Sequence, residues 1–96
     1  MHEHLAIEDM AAALKTALAD CVSGSECQRL LEECLQIVDS LGASEASQFA
    51  VRVARARAAA QKLRQASLQP CCRNRPSMEN ARHAMTSMLF AITQTQ

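Results

Sequence analysis

Apolar residues recur at alternating steps of three and four along the stretch Glu45–Ser67, EASQFAVRVARARAAAQKLRQAS. Ala46, Phe49, Val53, Ala56, Ala60, Leu63 and Ser67 therefore fall on one stripe of an α-helix, which turns once in about 3.6 residues. Nothing in the run breaks a helix, and its Ala, Arg, Gln, Lys and Leu residues favour one. Ser44 fits the N-cap position, and Glu45 suits the positive end of the helix dipole. A helix over this stretch spans on the order of 33 Å. Its stripe is mostly alanine in the middle, which permits close approach by a neighbour but buries little area per residue. Val51, Ala54 and Ala58 lie off the stripe, so the helix is apolar on more than one side and predicts contacts on two faces.

The same spacing marks three further segments, each bounded by residues that stop helices. A first helix is expected over 5–22, with Ile7, Met10, Leu14, Ala17, Leu18 and Cys21 on its stripe and Met1–His4 as a frayed start. Ser23-Gly24 stops it, Gly24 being suited to a left-handed C-terminal residue. A second is expected over 25–41. It opens on a capping box, Ser25-Glu26-Cys27-Gln28, and carries Cys27, Leu30, Leu31, Cys34, Ile37, Val38 and Leu41. Gly42 ends it, and the helix over 45–67 follows. Pro70 and Pro76 bracket a linker, 68–77, and Ser77 is expected to cap a fourth helix over 78–93. Met78, Ala81, Met85, Met88, Leu89 and Ile92 form that helix's stripe, which Phe90 and Ala91 widen near its end.

Composition agrees with helices. The chain has no Trp or Tyr, two Phe, two Gly and two Pro, too few β-formers and turn residues for a sheet. The expected fold is all-α, a small antiparallel helical bundle of three to four helices in a single domain over 1–96. The fourth helix either closes that bundle or docks on a second copy.

Formal net charge is zero, but its distribution is lopsided. Met1–Glu45 holds nine acids and two bases (Lys15, Arg29), and Ala46–Gln96 holds one acid (Glu79) and eight bases. The halves therefore carry about −7 and +7. Acidic helices packed beside basic ones account for this without further function. The functional reading is an exposed basic face that meets an acidic partner or nucleic acid.

No motif for chemistry emerges. Cys21, Cys27 and Cys34 sit on apolar stripes, where free cysteine acts as a small hydrophobe. No CxxC pair is present, and His2 and His4 lie at the terminus, so no metal is expected. Adjacent Cys71 and Cys72 stand near Arg73 and Arg75, whose charge lowers a thiol pKa. They read more simply as an exposed pair in a linker. His83 lacks the acid that follows a phosphorelay histidine, since Ala84 stands there, and is read as a surface residue. Asp39-Ser40-Leu41 resembles the carrier-serine motif of acyl carrier proteins, but Ser40 ends an acidic helix instead of starting one. No cofactor is implied, and no acid–base pair, activated nucleophile or phosphate loop is visible.

The start, MHEHLAIEDM, is acidic and has no apolar core segment, and no run approaches the roughly 18 apolar residues of a membrane span. A soluble, reducing, cytoplasmic setting is expected, with no membrane partner. In general look the chain resembles small bacterial adaptors, secretion chaperones and anti-regulators. The leading expectation is a non-enzymatic helical interaction module that binds a protein partner or forms a homo-oligomer. Phe49, Val51, Val53, Met78, Met85, Met88 and Leu89 are its candidate contact residues. The alternative is a nucleic-acid-associated regulator whose candidate anion-binding residues are Arg52, Arg55, Arg57, Arg64, Arg73 and Arg75, with Lys62 beside them. Arginine suits bidentate phosphate or carboxylate contact, but the basic run carries no aromatic to stack on a base.

Overall fold

The computed structural model describes residues 2–21, 24–43, 45–67 and 75–94, with the side chains of 6–21, 24–43, 45–66 and 76–92. Four helices account for most of them: α1 (His2–Ala19), α2 (Glu26–Gly42), α3 (Ala46–Ser67) and α4 (Arg75–Gln94). The fold is a small all-α bundle. Ser23, Ser44, Pro70, Cys71, Cys72 and Arg73 lie outside the described residues, as do the side chains of His2, His4, Ser67 and Arg75.

Local chemistry sets the helix ends. α1 stops at Ala19, short of Val22, because Asp20 and Cys21 donate to Ala17 and Leu18, three residues back, and tighten the chain into a turn. Gly24 then adopts φ +79°, as its place after the helix predicted. Ser25 caps α2, its hydroxyl accepting from the Gln28 N–H at 3.1 Å. The Gln28 side chain closes the box one residue earlier than expected, accepting from the Gly24 N–H. α4 starts at Arg75, not at Met78. Pro76 falls in its first turn, where a missing N–H costs nothing, so this proline opens the helix instead of closing the linker. Ser77 is accordingly not a cap. Its hydroxyl donates to Asp20 Oδ2 at 2.7 Å and ties the start of α4 to the end of α1.

These contacts fix the topology. Glu33 meets Lys62, Cys34 meets the Ala59 carbonyl, and the Ser40 carbonyl meets Arg52, so α2 and α3 run antiparallel. The short connection after α1 returns α2 alongside it. Ser77 on Asp20 then places the start of α4 at the end where α3 finishes, and α4 runs back along α3. Around the bundle, α1 packs on α2 and α4, α3 packs on α2 and α4, and among the described residues the diagonal pairs do not meet. The extents, 38 × 19 × 18 Å, are one helix long and two helices wide.

The core is where the apolar stripes converge. Met10, Leu14, Leu31, Val38, Leu63, Met78, Met85 and Ile92 are fully enclosed. α3 contributes more alanine than its stripe suggested, since Ala59 and Ala66 are buried beside Ala56 and Ala60, while Ala46 is exposed. A methyl-sized side chain lets α3 sit close to both neighbours, and so a wider arc of it turns inward. Among the described residues, no helix is long and apolar enough to cross a membrane.

Candidate docking groove between α3 and α4

α3 and α4 meet over small and medium side chains, Ala60 and Leu89, while long ones rise on either side. The result is an open groove of about 460 Å3. α3 lines it with Arg57, Ala58, Ala60, Gln61 and Arg64, which are steps of three and four along one side of the helix. α4 lines it with Arg82, Thr86, Leu89 and Phe90. Because the helices are antiparallel, Arg64 and Arg82 stand towards the 68–74 connection, and Arg57 and Phe90 towards the opposite end.

Phe90 is 63% exposed, and Val51 is the other large exposed apolar side chain among the described residues, at 57%. Val51, Ala54 and Ala58 are all exposed and follow i, i+3, i+7 spacing, so an apolar line runs along the outside of α3 into the groove. Arg82 is the most enclosed of the three arginines. Its Nη2 donates to Glu79 Oε2 at 2.8 Å and lies 3.3 Å from His83 Nε2. Its Nε is buried with no hydrogen-bond partner, leaving an unsatisfied donor on a cation at the groove. Thr86 donates to the Arg82 carbonyl of its own helix.

Of the residues singled out as anion contacts, the structure brings Arg57 and Arg64 together and adds Arg82. Arg52 is elsewhere, donating to the Ser40 carbonyl at 2.6 Å and to Gln48 Oε1 at 3.0 Å. Arg55 is exposed but does not line the groove, and Lys62 lies 3.7 Å from Glu33. Among the candidate partner contacts, Val53, Met78, Met85 and Leu89 are buried in the core of this one chain, so they pack the bundle and leave no free face. Phe49 and Met88 are half-buried against that core. Val51 alone of that set is open. Arg82, Gln61, Thr86 and Phe90 escaped the sequence reading as site residues. The available signal was Phe90, a large side chain beyond the width that the α4 stripe needs.

The remaining candidates for chemistry are quiet. Burial pushes the Cys34 thiol up to about 11, and the adjacent Glu33 charge adds to the shift. Its Sγ faces the Ala59 carbonyl at 3.7 Å. The Ser40 hydroxyl donates to the Ile37 carbonyl. Among the described residues, no group of His, Cys, Asp and Glu is placed to hold a metal ion.

No protein-family model matches the chain, and neither the curated proteins nor the solved structures provide a match.

Proposed function

We propose that the chain is a non-enzymatic protein–protein interaction module, an adaptor, chaperone or regulator, that receives an acidic segment of a partner protein on the α3/α4 face. The observation that carries this is the groove itself. Arg57, Arg64 and Arg82 surround an apolar surface of Ala58 and Phe90, with the buried Leu89 beneath. Positive charge at the edge steers an acidic partner, and exposed apolar area supplies the affinity.

A separate partner fits better than a second copy. Two copies meeting face to face through the groove would set arginine against arginine. A head-to-tail contact would offer the acidic α1/α2 face, whose exposed apolar residues on α1 are alanines such as Ala12 and Ala19. Only the face-to-face arrangement brings large apolar side chains, Phe90 and Val51 of the other copy, to Phe90, and it does so by opposing the arginines. The free thiol of the buried Cys34 supports a reducing, cytoplasmic setting for this role. A nucleic-acid-associated role is the second reading, because Phe90 gives the arginines one stacking surface. Phosphates, however, leave the Val51–Ala54–Ala58 line uncovered.

Fluorescence anisotropy separates the two. The ligands are labelled acidic peptides, with and without a leucine among the carboxylates, and oligonucleotides of matched charge, from about 50 to 200 mM salt. The leucine-bearing peptides bind most tightly, and Phe90→Ser weakens them by about tenfold. Oligonucleotides that outbind every peptide and ignore Phe90→Ser contradict the proposal.

A further inference from the structure

Resting on that docking reading, we infer that the occupant is an acidic amphipathic helix, lying along α3 and α4 as a fifth helix. Three features of the face select it. The groove runs between two helices whose backbone groups are already paired within them, so the face offers no edge for an extended strand to join. Val51, Ala54 and Ala58 repeat the three-four spacing of the buried stripe, which is a second seam of the kind that helices pack into. Their small side chains allow an interaxial distance near the lower end of about 8–10 Å.

The cations then set the register. Arg57 and Arg64 are two turns apart on α3, about 10.5 Å along the axis. An occupant running alongside meets both with carboxylates at i and i+7. A large apolar residue between them, at i+3 or i+4, lies level with Ala60 and Gln61, on the stretch of groove that Phe90 also lines. Arg82, across the groove from Arg64, gives the carboxylate at that end a second cation. Charge complementarity identifies the occupant as acidic, since α3 and α4 together hold seven bases and one acid.

The test uses the full chain and three labelled peptides of the same length and charge. One is helical with Glu at i and i+7 flanking Leu, one is equally helical with that register scrambled, and one is interrupted by proline in place of a distal alanine. Anisotropy gives each Kd, and circular dichroism confirms that variants keep their helicity. The registered helix binds about tenfold more tightly than either control. Arg64→Glu weakens it by about tenfold or more, and exchanging the facing peptide Glu for Lys restores binding. Arg55→Glu, outside the groove, leaves Kd within about twofold. If the proline-interrupted peptide binds as well, the helix inference falls while the docking face stands. If no peptide binds but a charge-matched oligonucleotide does, both fall. Equal binding by the scrambled helix overturns the register.

Discussion

Two glycines show how much a single backbone angle decides. Gly24 holds φ +79°, and a Cβ built there meets nothing within 4 Å, so the cost of a side chain is backbone strain alone. Gly24→Ala is expected to lower stability by about 1–2 kcal/mol in urea denaturation. Gly42 also has open space around it but no positive φ, and it lies inside α2. Gly42→Ala is expected to be neutral or to stabilise by up to about 1 kcal/mol. The sequence placed both at helix ends; only the φ values separate a required glycine from a replaceable one. Cys34 gives a second prediction at this scale. Its thiol is held at about 11 in the fold against an ordinary 9.0. Below pH 9 or so both folded and unfolded chains keep the proton, and the thiol causes no pH dependence. Between those values the unfolded thiol ionises and the folded one does not, so stability falls as pH rises through the window. The urea midpoint of the wild type therefore drops more between pH 8 and pH 10.5 than that of Cys34→Ala. Equal drops would remove Cys34 from the account.

The helices themselves were legible as elements, because three-four spacing and its breakers require no tertiary information. α2 is the clearest case: Cys27, Leu30, Leu31, Cys34, Val38 and Leu41, all read from spacing, are all buried. The ends were less legible. Pro76 and Ser77 read as linker and cap, yet the fold uses one to start α4 and the other to reach Asp20, a partner 57 residues away. Arg52 is a similar case. It looked like one more cation on the basic helix, but its guanidinium reaches back to the Ser40 carbonyl near the C-terminal end of α2, where α2 has no basic residue of its own. It fastens α2 to α3 across a short turn. Arg52→Ala is expected to cost about 1–2 kcal/mol, with Arg52→Lys recovering part of it, in thermal or urea unfolding. No change in either variant would mean that the contact contributes nothing in solution.

At the scale of the whole molecule, the bundle turns a pattern along the chain into a pattern in space. The acidic half becomes α1 and α2, with seven acids and two bases, and the basic half becomes α3 and α4, with seven bases and one acid. Since α1 and α2 lie side by side opposite α3 and α4, the two charges occupy opposite faces. That separation was visible in the sequence. The groove was not, because it needs the register of α3 against α4, and the seven-residue connection 68–74 leaves that register open. Most of the methionine stripe also looked available for a partner until packing enclosed Met78 and Met85. The most direct test of a docking role is a chemical-shift map of the 15N-labelled chain, titrated with the helical peptide that carries Glu at i and i+7 around Leu. Perturbations concentrated on Ala58, Gln61, Arg64, Thr86 and Phe90, with α1 and the outer face of α2 unmoved, are the predicted result. Shifts that fall on α1 and α2, or that are absent at saturating peptide, contradict it.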